Sequence, residues 1–190
     1  YHGSVRFEVR KLAADSLFFQ TMGIEVLSGT PVKDLAQKDV VYLSERLARK
    51  MFDTENPIGK VISYSKEIEL TVKGTYADIP ENATLRPEAV ISLPSIWSRK
   101  WGNYSWRGGD SWLAFIRFRP GADKSVVNAR IDAMIQKYRP AEDQKVVGYT
   151  AFVKPIRDVY RDNKDVRRMR NIMTILGITI PVSYTHLRAH

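Results

Sequence analysis

Residues 40–62, VVYLSERLARKMFDTENPIGKVI, contain a strand, a helix and a turn in succession. Val40–Leu43 is a short unbroken apolar run and reads as a buried strand. Ser44 stands where its side chain can cap the next helix, and Leu47, Ala48, Met51 and Phe52 recur at helical spacing as its inward stripe. Asn56-Pro57-Ile58-Gly59 then ends the helix with strong turn chemistry, and Val61–Tyr64 resumes as a strand.

Upstream, Val5, Phe7 and Val9 alternate with Arg6, Glu8 and Arg10, the pattern of a half-buried strand. Asp15–Thr21 predicts a short helix or turn, followed by a strand through Ile24 and Val26 that ends at Gly29. Downstream, Ile68, Leu70 and Val72 share one face of a strand, Pro80-Glu81-Asn82 breaks the pattern, and Ala89–Leu93 is a further short strand. Residues 94–111 read as a loop rich in Trp, Gly and Ser. Trp112–Phe118 predicts a strand turned by Pro120-Gly121. Asp123 then caps a helix with Val127, Ile131, Met134, Ile135 and Tyr138 at helical spacing. Val147–Val153 is the last predicted strand. This order implies an α+β (mixed α/β) fold. A βαβ-containing α/β subdomain would comprise residues 1–60 and 112–160, interrupted by a small β-rich inserted subdomain with its Trp-rich loop at 61–111.

The 190 residues suffice for one domain, or two small interleaved ones, and 44% apolar content argues against disorder. The absence of cysteine excludes disulfide scaffolds, thiolate metal sites and cysteine nucleophiles within the chain. Its three histidines, His2, His186 and His190, lie at the two ends and assemble no triad or metal site. Gly59-Lys60 lacks a P-loop's earlier glycine, since Thr54 stands there, and Val61 replaces its Ser/Thr. Glu67/Glu69 and Glu142/Asp143 read as solvated charges. Asn82-Ala83-Thr84 and Asn103-Tyr104-Ser105 match the glycosylation triplet, which arises often by chance. No catalytic, cofactor-binding or metal-ligating residue emerges, so no enzyme activity and no cofactor are expected.

With 30 Lys and Arg against 21 Asp and Glu, the net charge is +9, which suits an anionic partner. Two features sharpen this. All four tryptophans fall between positions 97 and 112, interleaved with Arg99, Lys100, Tyr104 and Arg107. Trp97, Trp101, Tyr104 and Trp106 are candidates for contact with a partner protein or a cargo; the competing reading is a long loop pinned to the domain by its aromatics. The second is RDNKDVRRMR at 161–170, net +3, directly before the apolar run NIMTILGITI at 171–180. Arg161, Lys164, Arg167, Arg168 and Arg170 suit a basic stalk beside a membrane, where they meet lipid headgroups. Ten apolar residues fall short of the roughly 20 that span a bilayer as a helix. The run is therefore expected to open a truncated transmembrane helix, with 161–180 as stalk and helix start. Residues 181–190 are expected to be a non-native tail, because VSYTHLRAH shows no pattern continuous with what precedes it.

The ordered motifs resemble the MacB-like periplasmic core domain of bacterial ABC-transporter permeases with FtsX-like membrane segments. Matching stretches are LFFQTMGIEVLSG at 17–29, VVYLSERLARKMFDTENPIGKVI at 40–62 and TVKGTYADIPENATLRPEAVISL at 71–93. WLAFIRFRPGADKSVVNARIDAMIQKY at 112–138 and VKPIRDVY at 153–160 follow in the family's order. The resemblance implies an extracytoplasmic domain of an inner-membrane permease, on the periplasmic side between two membrane helices. Its partners would be an ABC ATPase subunit or domain, the membrane, and a periplasmic protein or cargo, in a homo- or heterodimer. ATP hydrolysed elsewhere would drive export or extraction of a substrate through this domain. By the same token the chain would be a piece of a larger membrane protein. The basic run sits awkwardly outside the cytoplasm, but long exported domains cross largely regardless of charge. The alternative is a soluble basic module that binds nucleic acid or a partner; under the permease reading no nucleic acid is expected.

Overall fold

The computed structural model describes residues 7–53, 55–65, 68–99, 113–138 and 152–162. The chain divides into two units, residues 1–122 and 123–190.

The first unit is built on one mixed sheet. Its strands are β1 (Lys11–Ala14), β2 (Val26–Ser28), β3 (Val40–Ser44), β4 (Val61–Ser65), β5 (Ile68–Tyr76) and β6 (Ala89–Ser92). The strand order is β1-β6-β3-β5-β2, with β4 pairing to the other half of β5's free edge. Between them run the helices α1 (Phe18–Met22), α2 (Pro31–Asp34), α3 (Glu45–Phe52) and α4 (Leu93–Trp97). β3 is the hub, parallel to β5 and antiparallel to β6.

β3 is buried along its whole length because both its faces are covered. Val41 and Leu43 join the α3 stripe of Leu47, Ala48, Met51 and Phe52, together with Ile62, Ile68, Leu70 and Val72. Val40 and Tyr42 point the other way, among Phe18, Phe19, Leu35, Tyr76 and Val90. β3, α3 and the parallel β5 form a βαβ arrangement, although β5 lies in the stretch read as an insert. The mixed α/β class follows from this layering.

Two side chains, one local and one distant, fix the start of α3. The Ser44 hydroxyl accepts from Leu47 N–H at 3.2 Å, and Asp78 Oδ1 accepts from Arg46 N–H at 3.1 Å. Two of the helix's orphan donors are thereby satisfied, one locally and one by the long β5–β6 connection. At the far end, Asn56 Oδ1 accepts from Ile58 N–H at 3.0 Å, and Gly59 turns at φ +83°. Gly59 N–H then reaches Val72 O at 2.8 Å, which aligns β4 on β5.

β5 carries a bulge. Val41 pairs with Val72 but Tyr42 pairs with Gly74, so Lys73 is the extra residue. The bulge moves Gly74 and Tyr76 to the face opposite Ile68, Leu70 and Val72. Gly74 and Gly29 together make room for the Tyr42 ring: a Cβ at either would overlap it.

Several elements differ from the sequence reading. The first strand begins at Lys11, and Phe7–Arg10 lies outside the sheet, although Phe7 and Val9 still pack against the core. Arg10 O accepts the N–H groups of Glu88 and Ala89, where β6 begins, so the β1–β6 ladder starts there. Strands of residues 61–92, read as an insert, hydrogen-bond directly to strands of the first sixty residues in the same sheet. Leu93 opens α4 rather than closing β6, and residues 94–97 of the expected loop are helical. Residues 113–119 form no strand; Leu113, Phe115 and Ile116 are exposed and the segment has no ladder partner among the described residues.

The second unit holds α5 (Lys124–Tyr138) and α6 (Ile156–Asp162). Asp123 Oδ1 accepts from the Ser125 N–H and hydroxyl, both at 2.8 Å, as expected of the cap, and these bonds hold its carboxyl below the ordinary value. Val127, Ile131 and Ile135 of the α5 stripe are half-buried, whereas Met134 and Tyr138 are exposed. Val153 N–H donates to Asn128 Oδ1 at 2.9 Å, fastening the segment before α6 to α5. Of the strand expected at 147–153, Phe152 and Val153 are described and are not in a strand; its first five residues, the apolar run 171–180 and the tail lie outside the described residues.

Candidate interaction surface

α4 carries the first tryptophan of the cluster, and a polar latch determines where it leaves the sheet. Ser92 and Ser95 are fully buried and hydrogen-bond to each other through their hydroxyls. Asp39, held at φ +61°, donates its N–H to Ser95 Oγ at 2.8 Å. Arg99 closes the latch: one guanidinium nitrogen lies 2.8 Å from Asp39 Oδ1 and the other donates to Ser95 O at 2.8 Å. Arg99, one of the basic residues interleaved with the tryptophans, is thus engaged with the domain itself. No local pattern announces the latch, since Asp39 and Ser95 lie far apart in the chain.

Trp97, at the end of α4, is 51% exposed. Trp101, Tyr104 and Trp106 lie outside the described residues, as do Lys164, Arg167, Arg168 and Arg170. Arg161 falls in the last turn of α6. Of these candidates, Trp97 is the one whose side chain is described, and it follows directly on the latch.

Removing the Ser95 hydroxyl would leave the part-buried Asp39 N–H without this acceptor. Ser95→Ala is expected to cost about 1–3 kcal/mol, measured by chemical denaturation, with Trp97 fluorescence shifting as α4 loosens. An unchanged midpoint and spectrum would show that the latch does not fix α4.

Below α4, an apolar cleft of about 390 Å³ lies beside edge strand β1. Leu12, Phe18, Met22, Leu85, Leu93 and Phe115 line it.

One buried hydroxyl–carboxylate pair resembles acid–base machinery. Tyr42 Oη donates to Asp34 Oδ2 at 2.5 Å, and the same oxygen accepts from Thr30 N–H at 2.9 Å and from the Thr30 hydroxyl at 3.3 Å. Burial pushes the Asp34 carboxyl up, but these hydrogen bonds and the charge of Lys73 outweigh it and hold the group below the usual 3.8. Burial, then the Asp34 bond and charge, push the Tyr42 phenol well above its ordinary value. Tyr42 has no exposed surface, so no substrate reaches its hydroxyl; the pair pins the β2–α2 turn to the sheet.

A carboxyl whose folded value is depressed stabilises above its unfolded value and loses that contribution as pH falls through the folded one. Stability is therefore expected to fall as pH drops below about 4. Asp34→Asn should flatten that part of the denaturation-midpoint profile; an unaltered acid limb would refute the assignment.

Among the described residues no group of three or more His, Asp or Glu is placed to hold a metal ion. No helix among them is long and apolar enough to cross a membrane.

The described part of the first unit is thus a mixed sheet covered on both faces, with α4 and its exposed Trp97 following β6. The family model for the MacB-like periplasmic core domain matches residues 2–134, and the chain belongs to that family of ABC-transporter permease domains. Among solved structures, a domain of a protein assigned as a permease from Porphyromonas gingivalis is similar, with TM-score 0.60 and 22% identity. The match covers 83% of this chain and 74% of that one, and the likeness is one of fold. The periplasmic region of MacB from Actinobacillus actinomycetemcomitans aligns with TM-score 0.45 and 15% identity, over 65% of this chain and 53% of that one. No curated protein matches the sequence.

Proposed function

We infer that this domain is the extracytoplasmic part of an inner-membrane permease subunit. It takes up ATP-driven movement from membrane helices and passes it to a substrate being exported or extracted. The family match over residues 2–134 carries the reading. The fold supports it: a sheet packed on both faces moves as one body, because close-packed cores deform little. Catalysis belongs to an ABC ATPase subunit or domain reached through the membrane segments, in a homo- or heterodimer. Trp97, Trp101, Tyr104 and Trp106 form the surface offered to a periplasmic partner or cargo, with the Ser95–Asp39–Arg99 latch as its base. Residues 61–111 work as the part that carries this surface, and 161–180 as the basic stalk and start of a membrane helix.

Removing residues 7–160 from the full permease tests this. ATP hydrolysis by the assembled transporter is expected to persist while transport is lost. Transport that survives the deletion would contradict the reading. Salt-sensitive binding of DNA or RNA by the chain would favour a basic nucleic-acid module instead.

A further inference from the structure

β1 is an edge strand with one side open. Among the described residues Lys11–Ala14 pairs with β6 alone, so its outward-pointing N–H and C=O groups meet no other strand. Such an edge is a template for further strand pairing. Leu12 and Ala14 face the core that holds Phe18 and Met22 of α1. Residues 113–118 lie beside this edge and are neither helical nor turned. Leu113, Ala114 and Phe115 line the cleft of about 390 Å³ together with Leu12, Ala13 and Ala14. In an extended chain Leu113, Phe115 and Arg117 project to one side. The contacts agree: Leu113 and Phe115 line the cleft with Phe18 and Met22, and Arg117 Nη1 donates to Gln20 O of α1 at 2.8 Å. Yet Leu113 is 76% exposed, Phe115 40% and Ile116 50%.

Large apolar side chains stand in water next to an unpaired sheet edge, and one movement answers both. We propose that residues 113–118 are a strap with two positions: the open one of this structure, and a closed one in which they pair along β1 as a further strand. Closing seats Leu113 and Phe115 in the cleft against Leu12, Phe18 and Met22, and gives the edge its hydrogen bonds. It also keeps other chains from pairing there. The bond from Arg117 to Gln20 tethers the strap beside the edge while it is open. The cleft is then accessible in the open position and filled by the chain itself in the closed one.

Hydrogen exchange of the complete 190-residue chain, read amide by amide, tests this. Amides of residues 113–118 are expected to exchange about tenfold or more slowly than those of an unstructured peptide, yet faster than those of β3, as a segment that opens locally should. Successive N–H groups of a strand point to opposite edges. Of the variants Phe115→Pro and Ile116→Pro, one therefore removes a bond to β1 and should abolish the protection, while the other loses an N–H that faces solvent and is tolerated. β3 should stay protected in both, which shows that the sheet is intact. The proposal is overturned if residues 113–118 exchange at the rate of an unstructured peptide, or if both proline variants keep the protection. Protection equal to that of β3 would make the segment a permanent strand, and protection that rises with protein concentration would make the second strand another copy's; either overturns it. The permease reading does not enter this test and stands or falls separately.

Discussion

Gly74→Ala should lose about 3 kcal/mol of stability, the upper end of what overpacking costs. The Cβ would run into the Tyr42 ring and the Ser28 carbonyl, and neither can retreat. Tyr42 is fully buried on the central strand with its hydroxyl bonded to Asp34, and Ser28 lies in β2, paired to β5. Gly29→Ala should be at least as harmful, because it adds a left-handed φ of +93° to an overlap with the same ring. Gly59→Ala separates the two effects: φ is +83° but nothing lies within 4 Å of the new carbon, so backbone strain of about 1 kcal/mol is all it should cost. Urea denaturation of the three variants gives the ranking. Replacing Tyr42 by Leu in the Gly74→Ala background should cost less than the two single losses added together, since the mutations share one space. Equal losses at Gly59 and Gly74 would show that the Tyr42 ring does not occupy that space.

Phe19→Ala is the second large loss, about 3–5 kcal/mol. The Phe19 ring is 2% exposed and sits among three others, with centroids 5.4 Å from Phe18, 5.3 Å from Tyr42 and 5.0 Å from Tyr76. Removing it opens a cavity and forfeits these tilted and edge-on contacts, in a protein whose whole stability is of order 5–15 kcal/mol. Denaturation midpoints measure it; a loss below about 1 kcal/mol would mean that the face of the sheet opposite α3 is not a true core.

How legible each element was depends on whether its signal is local. Residues 40–62 could be read because an apolar run, a capping serine, a helical stripe and an Asn-Pro-Ile-Gly turn each depend on near neighbours. Phe7 and Val9 alternate as a strand would, yet among the described residues the sheet begins at Lys11, which pairs with Ala89 at the start of β6. Periodicity shows that a segment can pair and says nothing of its partner. For the same reason the strands of 61–92 read as a separate insert although they complete one sheet. The bulge at Lys73 was hidden more deeply: burial alternates without a break from Ile68 to Tyr76, while the face being buried changes midway. α4 was read as loop because its Pro94 and serines usually mark turns; here the proline sits in the first turn, where it is tolerated, and Ser95 is used in the latch. The clustering of tryptophans singles out Trp97 as a candidate, whereas Asp39 and Arg99, which hold the start and end of α4, meet only through the fold.

The central claim is that this domain faces outward from the inner membrane, and site-directed labelling tests it directly. The chain contains no cysteine, so Lys38→Cys and Glu69→Cys, both at exposed positions, place single thiols on its surface. In the full permease in intact spheroplasts, a membrane-impermeant maleimide is expected to label both without lysis. Val90→Cys, wholly buried in the sheet, should stay unlabelled until the protein is denatured. Labelling of Lys38→Cys and Glu69→Cys only after the membrane is opened would place the domain in the cytoplasm and contradict the account.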